Sequence, residues 1–199
     1  MRLFFRRPLR ETIAHFLEQQ KNQPYSYSDT GASLRIPPEG FVVDHRRICL
    51  GEGESVFNAA CQALRCWHMF EMDWVHLCWP ETPITKDSIV AILVKFMGIY
   101  LLNASRIVYV LSEEQPVRKF AFAYGTLLEH VESGEERFSI EWLADNSVWY
   151  DLYAFSRPGH WLVRLGYPLA RRFQKRFGKA SLLAMKHATT QYLLSEKLL

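Results

Sequence analysis

Apolar and polar residues change their spacing several times along this chain, and each change marks an element. Between Arg10 and Lys21, Ile13, Phe16, Leu17 and Gln20 fall on one face, which predicts an amphipathic helix. The next stretch, NQPYSYSDTGASLRIPPEG, is rich in Pro, Ser, Gly and Asp and reads as loop. FVVDHRRICLG follows as a first strand, closed by Gly51 and Gly53. From Ser55 to Glu71, the recurrence of Phe57, Ala60, Cys61, Leu64, Trp67 and His68 predicts a second helix. The period then shortens to two, and DWVHLCW, SIVAILVKFM, SRIVYVLSE, KFAFAYGTLLEH, GEERFSIEW and SVWYDLYAFS read as strands. Turn signals at Gly98, Gln115-Pro116, Ser133-Gly134 and Asp145-Asn146 leave no room for crossover helices, so the pairing is antiparallel. From Trp161 the helical period returns through Leu162, Leu165, Leu169, Phe173, Phe177, Met185, Ala188 and Tyr192, with Pro168 marking a kink or a fresh start.

This order predicts an α+β fold: an antiparallel curved sheet gripping a long C-terminal helix, with an added N-terminal helix. It is the element order of the helix-grip architecture and is similar to START-like domains; a closed β-barrel with flanking helices is the alternative. Residues 1–38 form the N-terminal extension and 39–199 the helix-grip-like domain. In KFAFAYGTLLEH, Phe120, Phe122, Tyr124, Thr126, Leu128 and His130 share one face, with Ala121, Ala123 and Gly125 on the other. Gly125 leaves room there for another element to approach closely.

Composition narrows the function classes. Hydrophobic residues make up 49% and charged residues 23% of the 199, an ordinary balance for a globular chain with a full core. Aromatics reach 14%, enough to line a sheet wrapped around a pocket or to pack a dense core. A net charge of +3 is too small to argue for nucleic acid, which ranks last among partners. MRLFFRRPLRET has charge and Phe but no apolar core of a secretory signal. The longest apolar run, Ile89 to Val94, falls far short of the roughly 20 residues a spanning helix needs. Cys49, Cys61, Cys66 and Cys78 form neither C-x-x-C nor a zinc spacing, so they read as reduced thiols of a cytoplasmic protein.

Longer stretches carry a resemblance. YSDTGAS, PPEGF, LGEGESVFNAACQALRCWHMF, NASRIVYV, FAYGTLLEHVESGEERFSIEW and VWYDLYAFSRPGHWLVRLGYPLARRFQKRF resemble the family called domain of unknown function nineteen-ninety, over nearly the whole chain. The runs Phe122–Phe138 and Ser156–Phe177 are the most specific. That family has bacterial and plant members and no established activity to carry over, so the resemblance implies boundaries and leaves function open.

The candidate chemistry gathers around AYGTLLEHVESGEERFSIEW. His130 and Glu132, two apart, can share a proton or a metal, with His68 and His76 the only further ligands to nominate. The bland alternative puts Ser133-Gly134 at a wet hairpin tip, with Glu129 and Glu135 solvated and His130 paired with Glu132 across the turn. Tyr124 and Tyr150 sit on faces that read as interior, so each hydroxyl needs a partner from protein, water or ligand. Asp151 is either on the solvent side or paired with an Arg. No nucleophile elbow, Cys/His pair, phosphate loop or other cofactor motif is present in the sequence. RRFQKRFGK alternates Phe173 and Phe177 with Arg171, Arg172, Lys175, Arg176 and Lys179, either a half-buried amphipathic helix or a surface for anionic membrane.

The expected function is binding of an apolar or amphipathic small molecule between sheet and C-terminal helix, with no cofactor and no metal called for. Tyr124, Tyr150, His130 and Glu132 are the expected polar contacts, and Arg157 or Arg171 would meet an acidic group near the mouth. An enzyme using the same pocket, with His130 and Glu132 or Glu136 as acid and base, is the alternative; a membrane or protein-interaction module using the basic helix is the third.

Overall fold

The computed structural model of the protein describes residues 2–159 and 167–196. Its eight strands are β1 (Arg2–Phe4), β2 (Val42–Glu52), β3 (Val75–Leu77), β4 (Ile89–Phe96), β5 (Ile99–Glu113), β6 (Arg118–Thr126), β7 (Glu132–Trp142) and β8 (Ser147–Pro158). The helices are α1 (Arg10–Gln20), α2 (Glu54–Arg65) and α3 (Tyr167–Glu196). The main path of the sheet runs β2-β8-β7-β6-β5-β4-β3, antiparallel throughout, and β1 adds to β5. Because β2 and β3 end the path without pairing to each other, the sheet stays open and the closed barrel is excluded. A curved antiparallel sheet around a long C-terminal helix is the predicted helix-grip. The start of the predicted final helix, from Trp161 to Gly166, lies outside the described residues; Pro168 stands in the first turn of α3, where its missing N–H is harmless.

Strand alternation sorts the core into two layers. On the concave side, Val90, Ile92, Ile107, Phe120, Phe122, Tyr124, Phe138, Ile140, Tyr150 and Leu152 pack with α2 and with Met185 and Ala188 of α3. On the convex side, Ala91, Leu93, Leu102 and Ala104 meet Ile13 and Phe16 of α1. A bulge between Ile107 and Tyr109 resets the parity of β5, so Ile107 and Val110 both face the concave core while Tyr109 turns to the convex face. That extra residue has no mark in the sequence.

Helix α2 stops sooner than its apolar spacing predicts. Trp67 takes a left-handed conformation (φ 62°) and turns its ring onto Phe122, 5.1 Å away. Its indole N–H donates to the Thr82 carbonyl at 2.9 Å. The gain is one large buried side chain in the core, and a 3₁₀ turn (His68–Phe70) replaces the last helical turn.

The N-terminal extension is built into the convex face, and Glu135 holds it there. Its carboxylate, 3% exposed, accepts from the Tyr27 hydroxyl at 2.7 Å, the Gly31 N–H at 2.7 Å and the Ser33 N–H at 3.1 Å, with the Ser33 hydroxyl as a further donor. The expectation of a solvated Glu135 is therefore overturned: β7 parity points it under the loop. Glu129 is also engaged, by Gln20 at 3.0 Å and Arg2 at 3.3 Å. Asp151 takes the paired option, meeting Arg137 at 3.1 Å and His45 at 2.5 Å. Gly125 lies directly beneath the extension, where a Cβ would come within 2.2 Å of the Tyr27 hydroxyl oxygen and 3.0 Å of the Tyr25 ring. Gly125→Ala is expected to destabilise the fold by about 1–3 kcal/mol, the usual penalty for overpacking. Urea denaturation checks this; an unchanged midpoint would mean the loop yields freely.

Candidate functional site

A cavity of about 390 Å³ lies between the concave face and the first turns of α3. It forms because the aromatic core fills only one end of the grip. Trp67, Phe122 and Phe138 pack solidly beside α2, while toward β4 the wall is left to Ile92, Val94, Phe96 and Leu101. Phe173 closes one side, edge-on to Phe96 at 4.7 Å and to Trp74 at 5.6 Å. Phe177 packs on Phe70 at 5.5 Å. The basic run thus spends its aromatic half on the cavity wall. Arg176 covers Trp74 at 4.7 Å, and Arg172, Lys175 and Lys179 face outward.

The mouth is tied by a polar relay. Arg171 grips Asp44 of β2 with both guanidinium nitrogens, one at 3.0 Å, and also donates to the Gln174 side-chain oxygen. Gln174 in turn donates to the Ser156 hydroxyl of β8 at 2.9 Å. At Gly178 the helix comes so close to β2 that a Cβ would stand 2.6 Å from the Arg46 stem.

The polar end of the cavity rests on the turn between β6 and β7. This turn covers Leu127–Val131, closed by the His130 N–H donating to the Leu127 carbonyl at 2.9 Å. It is earlier than predicted. Ser133 and Gly134 already belong to β7, paired with Arg157 and Ser156, because a Cβ at Gly134 would lie 2.0 Å from the Phe155 carbonyl and glycine alone lets β8 approach. The Asn103 side-chain oxygen accepts the Val131 N–H at 3.2 Å and anchors the turn to β5. His130 therefore leaves the strand face that parity assigned to it, yet still reaches the cavity.

Two carboxyls and an imidazole line that end, beside Tyr124. Tyr124 donates to Glu136 Oε2 at 2.5 Å, across the β6–β7 pair. Burial pushes the Glu136 carboxyl up to about 7; the Tyr124 bond pulls back, while Glu132 and Asp44 push further in the same direction as burial. Glu132 is also raised by burial, against Gln174, Ser156 and Arg171, which favour its ionised form. His130 is lowered by burial to about 4. Its Nδ1 lies 3.0 Å from the Glu132 backbone nitrogen and 3.2 Å from the Glu132 carbonyl oxygen. All three retain some surface, and they spend it on the cavity they line.

The other expected contacts are placed elsewhere. Tyr150 is fully buried under α3, its hydroxyl 2.8 Å from the Ser181 hydroxyl, and does not line the cavity. Arg157 is exposed and stacks on Phe41 at 4.4 Å on the convex side. Arg171 belongs to the mouth relay. His68 pairs with Glu71 at 2.6 Å and Tyr192 at 3.3 Å, and His76 sits on β3; among the described residues no three His, Cys, Asp or Glu side chains converge as metal ligands. Sequence reasoning missed Asn103, whose signal was a lone amide within the apolar run IYLLNASRIV, and Asp44 and Gln174, which carried none.

The sequence matches the family described as Domain of unknown function (DUF1990) over residues 26–184. The chain belongs to this family. A UPF0548 protein of Dictyostelium discoideum is 36% identical over 192 residues, covering 87% of this chain and 89% of that protein. A UPF0548 protein of Deinococcus radiodurans is 33% identical over 183 residues, covering 86% and 90%. Among solved structures, a hypothetical protein of Helicobacter pylori superposes with a TM-score of 0.52 at 11% identity, over 81% of this chain and 95% of that one. Human STARD10 aligns over 96% of this chain and 84% of its own, at 8% identity and a TM-score of 0.49. The Helicobacter likeness is one of fold alone, and no helix among the described residues is long and apolar enough to cross a membrane.

The raised Glu136 carboxyl has a stability consequence with a definite sign. The native state holds this proton more tightly than the unfolded chain, so the contribution of Glu136 is full below pH 4.5 and is lost as pH rises through about 7. Glu136→Gln is therefore expected to be more stable than the wild type at pH 8, by roughly 1–3 kcal/mol, with the gap closing toward pH 5. Urea melts of both proteins at the two pH values measure it, and a gap independent of pH would contradict the assignment.

Proposed function

We propose that this chain binds an apolar or amphipathic small molecule, held between the concave face of the sheet and α3. The apolar part would lie against Ile92, Val94, Leu101 and Phe173, and the polar end would meet Tyr124, Glu136, Glu132 and His130. One observation carries this reading: an apolar cavity of about 390 Å³ within the grip, ending in titratable groups rather than in a closed hydrophobic plug. That volume falls in the range of roughly 300–1,000 Å³ typical of small-molecule sites. Tyr150 and Arg157 drop out of the proposed contact set, because one hydroxyl is used by Ser181 and the other side chain stacks on the opposite face. Burial pushes the Cys61 thiol up to about 12 and Cys78 up to about 11, and all four cysteines are unpaired, which supports a cytoplasmic setting.

Acid–base catalysis on the bound molecule is the second reading, favoured by a carboxyl raised to about 7 and an imidazole on the same cavity. It calls for a turnover that His130→Ala abolishes while stability changes by no more than about 1 kcal/mol.

Native mass spectrometry of gently purified protein, followed by solvent extraction, tests the binding reading. A compound bound in about one-to-one ratio is expected in the wild type and absent from Val94→Trp, which fills the cavity with an indole. Equal retention by both proteins would place binding elsewhere and remove the proposal.

A further inference from the structure

The cavity carries unbalanced charge at its deep end. Glu136 Oε2 is taken by Tyr124, but Oε1 has no partner among the described residues and is not sealed from the cavity. Among the described residues, the charged groups acting on Glu136 are Glu132 and Asp44, both of its own sign. The nearby cation, Arg171, is committed to Asp44 at the mouth and bears on Glu132 rather than on Glu136. Arg46 lines the cavity on β2, its stem packed on Gly178 of α3. Among the described residues, the inner carboxylate therefore has one hydrogen bond and no counter-ion in its low-dielectric recess. Such a group either stays protonated or waits for a cation brought by something else.

The surrounding rings are arranged for a cation as well. Phe70 is stacked toward Tyr124 with centroids 6.4 Å apart, and lies 5.5 Å from Phe177. An ammonium that reached one of these ring faces would also be drawn by its quadrupole. A carboxylate in the same place would face Glu136 and Glu132 together.

Building on the binding reading above, we infer that the ligand is a lipophilic amine, its ammonium group paired with Glu136 and its hydrocarbon part laid along the apolar wall toward Phe173. Tyr124 acts as the positioning residue that points the free carboxylate oxygen into the cavity. Glu132 adds attraction from the next inward-facing acidic position of β7. Glu132 and Glu136 flank Gly134 along β7, and all three line the cavity.

The experiment uses three probes of one chain length: decylamine, decanol and decanoate, titrated calorimetrically into the full chain at pH 8. Decylamine is expected to bind at least about tenfold tighter than decanol, the scale of one charge-assisted hydrogen bond, with decanoate weakest. Glu136→Gln should lower decylamine affinity by about the same factor and leave decanol within about twofold. Retained decanol binding certifies that the variant is folded. Tyr124→Phe, which keeps the carboxylate and frees its orientation, should weaken decylamine less than Glu136→Gln does. If decanol or decanoate matches the amine, or if Glu136→Gln weakens amine and alcohol alike, the amine inference is overturned while the apolar cavity stands as a binding site. If none of the three binds the wild type, the binding reading falls and takes this inference with it.

Discussion

Two adjacent carboxylates on β7 divide the molecule's labour, and the alternation of a β-strand makes the division unavoidable. Glu135 points to the convex side, where the loop donors surround it and a buried charge is fully satisfied. Glu136 points to the concave side, where one tyrosine meets it. A slip of one residue in the β6–β7 register would turn Phe138 and Ile140 out of the concave core, so the apolar face of β7 decides which carboxylate meets the loop and which meets the cavity.

The cavity also depends on how the concave face is covered. Helix α3 does not lie evenly on the sheet. At its C-terminal half, Ser181, Met185 and Ala188 sink into the core beside Tyr150 and α2. At its N-terminal half the helix is held at the rim, by the Arg171–Asp44 pair and the Gln174–Ser156 bond, while Phe173 and Phe177 reach inward without filling the space. Small residues let the helix down at one end and a polar relay props it at the other. The cavity is the resulting wedge.

Much of this was legible in the sequence, wherever a local rule was decisive. Helical and strand periods gave the element order and the antiparallel pairing, and the bare face at Gly125 announced the close approach of the extension. Tyr124 was legible as an interior polar group, since alternation in β6 is unbroken from Phe120 to Thr126. What stayed hidden depended on partners distant in the chain. Glu135 looked like a solvated turn residue because its donors lie about a hundred positions earlier. Ser133-Gly134 resembled a hairpin tip because nothing local reveals that Gly134 is needed flat against Phe155. Tyr150 shared the signature of Tyr124, but it lies under α3 where Ser181 awaits it, and no pattern within β8 distinguishes the two.

The placement of β2 has a bearing on how the protein acquires its shape. This strand is the first long one to be synthesised, yet among the described residues its one neighbour in the sheet is β8, and partners such as His45 and Asp151 stand 106 residues apart. Hairpins from β4 to β8 can zip locally, whereas β2 must wait through a long loop closure before any ladder bond rewards it. The Arg171–Asp44 clasp needs a still later segment, 127 residues beyond Asp44. The mouth thus carries one of the largest loop-closure costs in the fold, and while it is open the apolar concave face is exposed to water.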